Sequence, residues 1–362
     1  MPIVEYMEKY GFEQVVVCVD RDVGLKAFIA IHDTTLGPAL GGCRIWRHPS
    51  EEEALKDVMR LARAMTYKNA AAGLGLGGGK ALLWADPRTE KSEALLRSFA
   101  RFVHSLGGRY ITTEDVGATE EDMARIRQET PYVVGLPTSL GGSGDPSRAT
   151  GWGIYHGMKA SLQEALGTDS LKGVRVALQG FGKVASHLAE HLLREEAILI
   201  ATDINRDALQ RAASRGIGVL ENPDAIYNIP CEVFSPCALG GALNPKTIPR
   251  LQCRVVAGGA NNQLLTPEDG EALRQRGILY APDFIINAGG VINISFEIGR
   301  PYREEAAFQQ VAKIRDTLNQ VFALAKARGV STARAAELLA EERLAAVRKV
   351  KSLYMRDQHP VR

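Results

Sequence analysis

Lysine residues near a dense group of glycines give the amino-terminal part of the chain its clearest chemical signal. Residues 73–80 contain five glycines and end at Lys80. The glycines leave space around the amine of Lys80 and suit close backbone contact with a small substrate, so we expect a substrate-binding loop here. Lys68 lies twelve residues upstream and supplies a second amine.

A glycine-rich run that ends in lysine also occurs in phosphate-binding P-loops. That motif requires a glycine six residues before the lysine and a serine or threonine directly after it. These positions hold Leu74 and Ala81 in this chain. The spacing therefore argues against a nucleoside triphosphatase.

A second glycine motif predicts a dinucleotide-binding site. It follows the apolar run 174–179, precedes a helical pattern, and consists of Gly180, Phe181, Gly182, Lys183, Val184 and Ala185. Gly180 permits a tight strand-to-helix turn, Gly182 lets the backbone approach a pyrophosphate, and small Ala185 allows close helix packing. The phosphates would bind at the amino terminus of the helix.

The acidic residue that should follow this motif is Asp203, which comes after the apolar run 198–202, about 20 residues further on. A carboxylate at this point binds the ribose hydroxyls and repels a 2′-phosphate, so the sequence favours NAD over NADP as cofactor. Two features keep the interpretation open: Asp203 could instead cap a helix, and the nearby Arg206 could tolerate a phosphate.

The elements that must position these residues are strands alternating with helices. Helical periodicity follows Ser50, which has capping-box spacing to Glu53, and a second helix begins near Ser92. Strand 109–113 leads directly to Glu114 and Asp115. The other predicted strands are apolar runs at 15–19, 27–31, 37–46, 174–179, 198–202, 232–234 and 254–257.

The length of 362 residues exceeds that of a usual single core and predicts an α/β protein of two domains separated by a cleft. The stretch 135–147, rich in glycine and proline, marks the boundary. We predict domains at 1–135 and 145–331, the second with a doubly wound parallel sheet. The helical tail 332–362 either packs back on the first domain or joins subunits.

Composition excludes several classes of partner. Net charge is only +2, and basic and acidic residues are interspersed, so we expect no nucleic-acid partner. No segment is apolar enough for a signal peptide or a membrane span, so we expect a cytoplasmic protein without a membrane partner. The five cysteines form no Cys-x-x-Cys pair, which predicts buried thiols and no metal site.

The motifs described above make the sequence resemble a known family, the glutamate, leucine, phenylalanine and valine dehydrogenases. The resemblance extends over nearly the whole chain. The length of the chain and the order of its motifs are most similar to those of the leucine-specific members. The resemblance rests on residues 37–42, 65–69, 77–80, 114–117, 180–185, 261–263 and 287–291.

The resemblance implies an NAD-dependent oxidative deamination of an amino acid to a 2-oxo acid and ammonia, in either direction. The first domain would bind substrate and mediate formation of a homo-oligomer, with the tail 332–362 completing it, and the second would be a Rossmann-type NAD-binding domain. Further contacts are implied at Gly41, Gly42, Met65, Gly77 and Gly78 for the substrate, and at Thr150 and Asn261 for the cofactor.

The resemblance also implies a role for each candidate catalytic residue. Lys68 would bind the substrate α-carboxylate, with Asn262 beside it. Lys80 would activate the water that attacks an imino intermediate, a task that requires the uncharged amine, which burial and the cationic neighbour Lys68 favour. Asp115 would exchange protons with the substrate nitrogen. Each residue also has an ordinary alternative, either a surface lysine or a turn aspartate.

The predicted side-chain pocket is apolar and consists of Leu40, Thr113, Val291 and Ile294. Glutamate-specific members of the family carry lysine in place of Leu40 and serine in place of Ile294. Burying a carboxylate against two aliphatic residues would cost several kcal/mol, which excludes glutamate. Thr113 and Ile294 replace the alanine and valine of the leucine enzymes, and the added volume favours valine or 2-aminobutyrate modestly.

Three alternatives remain open on the sequence. An aromatic amino acid, phenylalanine or tryptophan, is the second choice of substrate, and the four pocket residues could instead be ordinary core. A catalytically silent NAD-binding regulatory protein would be expected to have lost Lys68, Lys80 or Asp115, and all three are present. A hydroxy-acid dehydrogenase would place an arginine and a histidine in its site, whereas the seven histidines fall outside every motif.

Overall fold

A computed structural model describes residues 3–350. Contacts between residues group the chain into two units. Among the described residues, the first unit contains 3–145, Ile294–Glu304 and 340–350, and the second contains Pro146–Asn293 and Glu305–Leu339. This division differs from the predicted one, because residues 294–304 group with the first unit and 332–339 with the second. Residues 351–362 of the predicted tail lie outside the described residues.

The first unit is built on a mixed five-stranded sheet of order β1-β2-β4-β3-β5. The first two pairs of neighbouring strands are antiparallel, and β3 is parallel to both β4 and β5. The strands are β1 (Gln14–Asp20), β2 (Leu25–Asp33), β3 (Ala39–Ile45), β4 (Gly77–Leu83) and β5 (Tyr110–Glu114). The helices are α1 (Ile3–Tyr10), α2 (Glu51–Ala71), α3 (Glu93–Ser105) and α4 (Glu120–Arg127).

Helices cover both faces of this sheet. Val58, Met59 and Ala62 of α2 pack with Leu82 of β4 in one core cluster. On the other face, residues of α3 and α4 pack against alternate residues of the same strands, among them Ala81 and Leu83. The predicted start of α2 is confirmed, since the Ser50 hydroxyl accepts a hydrogen bond of 3.2 Å from the Glu53 amide.

The predicted loop at Lys80 is wrong in its second half, because Gly77–Leu83 is a fully buried strand at the centre of the sheet. The glycines serve close packing there. A Cβ atom on Gly78 would lie 2.1 Å from the Thr66 amide nitrogen of α2, and one on Gly79 would lie 2.8 Å from the Tyr110 ring. The close approach of α2 to β4 at Gly78 therefore requires a residue without a side chain.

The second unit contains the predicted doubly wound sheet, with order β11-β10-β9-β6-β7-β8 and every pair parallel. Its strands are β6 (Arg175–Gln179), β7 (Ile198–Thr202), β8 (Gly218–Leu220), β9 (Val233–Pro236), β10 (Val255–Val256) and β11 (Leu279–Tyr280).

The remaining helices are α5 (Ser147–Leu166), α6 (Lys183–Arg194), α7 (Arg206–Ala213), α8 (Pro267–Gln275), α9 (Asp283–Ile286), α10 (Gly289–Ser295), α11 (Glu304–Ala312), α12 (Ile314–Arg328) and α13 (Thr332–Arg348). Between residues 3 and 350, no helix combines the length and apolarity that crossing a bilayer requires.

Candidate active site

Lys80 points to the face of the first sheet that α2 covers. Successive side chains in a strand alternate between faces, so Lys80 shares its face with Gly78 and Leu82, both of which contact α2. The neighbouring Gly79 and Ala81 face the opposite cluster. Lys80 is only 5% exposed. A buried lysine in the middle of a strand requires a polar partner, and this partner is nearby.

The partner of Lys80 is Asp115, the residue that follows β5. Lys80 Nζ lies 3.1 Å from Asp115 Oδ2, and Arg44 Nε of β3 donates to the same oxygen at 2.9 Å. Gly42, two residues before Arg44, leaves room for this carboxylate, since a Cβ atom there would lie 2.8 Å from the Asp115 Cβ atom. Three adjacent strands, β4, β3 and β5, thus bring the Asp115 carboxylate together with two cations, Lys80 and Arg44.

The charge state of Asp115 follows from a competition between burial and its two cations. Burial by itself raises the pKa of the carboxyl group. The positive charges of Lys80 and Arg44, and their hydrogen bonds to the carboxylate, outweigh burial and hold the pKa below its usual value of 3.8. Asp115 is therefore an anion at neutral pH and can serve as a proton acceptor or as a fixed negative charge.

Behind Asp115, the ionic network continues into α2. The other arm of the Arg44 guanidinium donates to Asp57 Oδ2 at 2.8 Å, and Asp57 also receives a hydrogen bond of 2.9 Å from Arg60. His48 Nε2 lies 3.3 Å from the Asp57 carboxylate. Arg44 consequently spans from the carboxylate next to Lys80 to one anchored on the helix.

Lys68 occupies the last turn of α2 and is half-buried. The next residue, Asn69, is fully buried and donates to the carbonyl oxygens of Gly77 at 2.6 Å and Leu40 at 3.3 Å. These bonds tie the end of α2 to β3 and β4, three residues before Lys80. The structure therefore brings Lys68 to the helix end that lies over the strand bearing Lys80.

Two predicted pocket residues converge on a glycine in the first unit. A Cβ atom on Gly135 would lie 2.7 Å from Thr113 Oγ1 and 3.9 Å from Ile294 Cγ2. Leu40 is fully buried on β3, and the next residue, Gly41, approaches the Met65 side chain to within 3.4 Å of its Cβ position. The chain segment with Ile294 is held there by Glu297, whose carboxylate accepts hydrogen bonds from the backbone amides of three residues, Gly135, Leu136 and Ser143.

The second unit bears the predicted nucleotide turn between β6 and α6. Gly180 has a φ of 95°, which favours glycine, and its Cβ position is 2.8 Å from the Ala238 methyl group. Gly182 precedes α6, and a Cβ atom there would meet open space. Because glycine has no capping side chain, the first-turn amides of α6 are suited to bind an anion such as a pyrophosphate.

Asp203 lies directly beside this turn. Its Oδ2 atom accepts a hydrogen bond of 2.7 Å from the Phe181 amide, and its Oδ1 atom accepts one of 2.8 Å from the Asn205 amide. The side chain that caps α7 is that of Asn205. A carboxylate fixed next to the glycine turn fits a dinucleotide whose ribose hydroxyls need an acceptor.

The remaining predicted residues of the second unit have defined positions. Thr150 lies in the first turn of α5 and donates its hydroxyl hydrogen to the Pro146 carbonyl at 2.9 Å. Asn261 Oδ1 accepts a hydrogen bond of 2.8 Å from Asn287 Nδ2. Asn262 has a φ of 51°, a left-handed conformation that asparagine tolerates, and Val291 is buried in α10.

Several functional candidates were not predicted from the sequence. Arg44, Asn69 and Asn287 fall inside or next to the quoted motifs, so motif position was the available signal for them. Glu297 had no local signal, because its partners lie more than 150 residues earlier in the chain. Among residues 3–350, no group of three histidine, cysteine or acidic residues is placed to hold a metal ion.

Comparison with known proteins identifies the family of this chain. The family model for the Glu/Leu/Phe/Val dehydrogenase dimerisation domain matches residues 12–132, and that for Glutamate/Leucine/Phenylalanine/Valine dehydrogenase matches 141–209 and 203–352. The chain belongs to this family. It is an amino-acid dehydrogenase, a class whose chemistry requires a nicotinamide cofactor.

Individual relatives match nearly the whole chain. It is 52% identical to leucine dehydrogenase of Geobacillus stearothermophilus, over 100% of this chain and 98% of that protein. Phenylalanine dehydrogenase of Bacillus thermotolerans is 45% identical, over 96% of this chain and 92% of that protein. The crystal structure of L-tryptophan dehydrogenase from Nostoc punctiforme matches with a TM-score of 0.83 at 44% identity, over 96% of this chain and 100% of that one.

Proposed function

We propose that this amino-acid dehydrogenase catalyses the reversible, NAD-dependent oxidative deamination of a small apolar, branched-chain L-amino acid. The products would be the 2-oxo acid and ammonia. The observation that carries the proposal is the contact of 3.1 Å between buried Lys80 and Asp115, on the sheet face covered by the helix that bears Lys68. A buried amine next to a carboxylate is suited to proton transfer.

Each residue is assigned one task in the reaction. When bound, the nicotinamide cofactor accepts a hydride from the substrate Cα. The substrate nitrogen loses a proton, and we assign that proton exchange to Asp115, which is already ionised. Lys80 takes a proton from the water that adds to the resulting imine carbon. Asp115 then returns its proton to the nitrogen, the hydroxyl of the adduct loses its proton to the carboxylate thus freed, and ammonia leaves as the carbonyl group of the 2-oxo acid forms. Lys68 binds the α-carboxylate through its positive charge.

The preference for an apolar side chain rests on Leu40, Thr113 and Ile294. Leu40 is fully buried, and no carboxylate could be accommodated against it without a large desolvation cost. Thr113 and Ile294 fill the space beside Gly135, which limits the volume available to the substrate. A branched-chain substrate also agrees with the 52% identity to a leucine dehydrogenase.

An aromatic substrate is the second candidate. It is favoured by the similarity to a phenylalanine dehydrogenase and to the L-tryptophan dehydrogenase structure, at 45% and 44% identity. Thr113 and Ile294 beside Gly135 argue against an aromatic substrate, because they reduce the volume of the pocket. A single methylene in a pocket already changes selectivity by about 1–3 kcal/mol.

NAD is proposed over NADP because of Asp203. Its carboxylate, fixed by the Phe181 amide at 2.7 Å, would repel a 2′-phosphate. We also propose a homo-oligomer, since the family model that matches residues 12–132 describes a dimerisation domain. Analytical ultracentrifugation of the purified protein tests this, and a single sedimenting species at the monomer mass would contradict it.

The test of the reaction is a panel of L-amino acids with NAD or NADP, read by absorbance of the reduced cofactor at alkaline pH. The panel contains leucine, isoleucine, valine, 2-aminobutyrate, phenylalanine, tryptophan and glutamate. We expect the highest kcat/KM for an aliphatic substrate with NAD. Preference for an aromatic substrate would overturn the pocket argument, and NAD binding without any turnover would indicate a silent regulatory protein.

A further inference from the structure

Arg44 is the second cation on the carboxylate that the proposed reaction uses. Its Nε atom donates to Asp115 Oδ2 at 2.9 Å, and Lys80 Nζ lies 3.1 Å from that same oxygen. We propose that Arg44 is a positioning residue of the reaction, which holds Asp115 as an oriented carboxylate and shares its charge with Lys80. This inference rests on the proposed roles of Asp115 and Lys80.

The fixed position of the guanidinium supports this role. One arm contacts Asp115 and the other donates to Asp57 at 2.8 Å, so two carboxylates on different elements hold the planar group from two directions. Asp57 is itself held by Arg60 at 2.9 Å. A guanidinium clamped in this way cannot rotate to follow Asp115, and Asp115 must instead align with it.

Other titratable groups near Asp115 do not supply the same charge. Lys80 approaches from β4 and Arg44 from β3. Cys43 and Tyr110 are also within electrostatic reach, but burial raises the pKa of the Cys43 thiol to about 12 and that of Tyr110 well above 10. Both groups are therefore neutral at the pH values of the acidic limb, where the effect of Arg44 is measured. His48 and Asp57 lie on the far side of Arg44, where His48 Nε2 is 3.3 Å from the Asp57 carboxylate.

The division of charge has a chemical consequence. The single negative charge of Asp115 is shared between two positive charges, those of Lys80 and Arg44. Asp115 therefore does not form an isolated ion pair with Lys80 alone. If Lys80 is uncharged when the substrate nitrogen gives up its proton, Arg44 still keeps Asp115 ionised and able to accept that proton. Without Arg44, burial would favour the protonated form of Asp115. The pH below which Asp115 is protonated, and can no longer accept a proton, would then rise.

The test compares Arg44→Gln and Arg44→Lys with a control, Arg97→Ala, which removes an arginine that pairs with Glu129 and has no part in the contacts of Arg44 described above. We expect the acidic limb of the kcat/KM profile of Arg44→Gln to move up by about one pH unit, and that of Arg44→Lys by less. The pH profile of Arg97→Ala should not move. If Arg44→Gln does not fold, as judged by circular dichroism, Arg44→Lys carries the test. Lysine keeps the positive charge but lacks the planar guanidinium that contacts Asp115 and Asp57 at once.

Two further measurements separate positioning from a general structural effect. In an Asp115→Asn background, Arg44→Lys should not move the remaining limb, because the group that it acts on is gone. Carbon-13 NMR of labelled aspartate, assigned with Asp115→Asn, should show the Asp115 carboxyl titrating at higher pH in Arg44→Lys. An equal loss of kcat/KM at every pH, with an unchanged carboxyl titration, would overturn the inference. Full activity of Asp115→Asn would instead refute the proposed role of Asp115, while the NMR titration would still test Arg44.

Discussion

The Glu297 carboxylate accepts a hydrogen bond of 3.0 Å from the backbone amide of Gly135, a residue 162 positions earlier in the chain. The same carboxylate also receives the amides of Leu136 at 3.3 Å and Ser143 at 2.8 Å. These bonds place Ile294 at the glycine that Thr113 faces. One acidic side chain thus joins two parts of the proposed pocket wall that are remote in sequence.

We therefore expect Glu297→Ala to lower the free energy of unfolding by about 1–3 kcal/mol, because three amides lose their acceptor. It should also raise KM for the preferred amino acid more than it lowers kcat, since the pocket wall loosens while Lys80 stays in place. Urea unfolding and steady-state kinetics measure both effects. Glu305→Ala, at an exposed site, is the control and should leave stability within about 0.5 kcal/mol of the parent. Unchanged stability and KM in Glu297→Ala would contradict the prediction.

Lys80→Ala should reduce turnover by about 10²–10⁴-fold, the range typical of a lost general base, while NAD binding stays near normal. Single-turnover kinetics and a fluorescence titration with the reduced cofactor measure the two quantities. The chain offers a matched control in Lys159, whose amine pairs with Glu195 at 2.8 Å, at the end of α6 opposite the nucleotide turn. Lys159→Ala breaks a similar ion pair in the second unit and should retain turnover. Retained turnover in Lys80→Ala would remove this residue from the mechanism.

The depressed pKa of Asp115 predicts a defined pH dependence of stability. A carboxyl whose pKa is lower in the folded than in the unfolded protein stabilises the fold above its unfolded pKa, and this contribution disappears as pH falls through the folded value. The difference in unfolding free energy between the parent and Asp115→Asn should therefore change below about pH 4, in the direction of lost stability for the parent. Thermal unfolding between pH 3 and pH 7 checks this. A difference that is constant across this range would show that Asp115 is not held ionised by Lys80 and Arg44.

Asp203→Ser should weaken selection for NAD. The substitution removes the charge that repels a 2′-phosphate and the acceptor for the Phe181 amide, so we expect KM for NAD to rise about tenfold and the preference over NADP to narrow. Kinetics with both cofactors at saturating amino acid measure the ratio. Asp207→Ser, four residues later on α7, is the control and should leave the ratio unchanged. The same ratio in Asp203→Ser and in the parent would mean that another group selects the cofactor.

Leu40→Lys tests the assignment of the side-chain pocket. A lysine at this fully buried position could pair with a substrate carboxylate, so we expect measurable activity toward glutamate and a loss of activity toward aliphatic substrates. Leu40→Met keeps the volume and the apolar character and should keep the parent preference. If Leu40→Lys folds, by circular dichroism, and still gains nothing toward glutamate, the position does not face the substrate side chain as proposed.

Local patterns were sufficient for the starts of two helices and for the nucleotide turn. The helix starts at Ser50 and Ser92 are confirmed, with each hydroxyl accepting an amide hydrogen bond of 3.2 Å. The motif from Gly180 to Ala185 begins directly after strand β6 and ends in the first turn of helix α6, as predicted. These features depend on residues a few positions apart, and their physical requirements, a cap or a positive φ, can be read from residue type.

The strand at Lys80 was harder to predict, because the run of glycines has the composition of a loop. Glycine is unfavourable in a strand on its own account, and here the sheet compensates for it by packing. Thr66 of α2 and the Tyr110 ring occupy the space that the side chains of Gly78 and Gly79 would fill. That information lies in residues distant in sequence, and composition alone could not supply it.

By itself, the sequence determined the family, most of the strands but not β4, β8 or β11, and the identity of the lysines and the acid proposed to act. Only the tertiary structure decided that Arg44 shares the Asp115 carboxylate with Lys80, and that Glu297 holds Ile294 beside Thr113. The physical reason is one of range. Capping, turns and periodicity act over a few residues, whereas ion pairs and close packing act over a few ångströms between residues that the fold alone brings together.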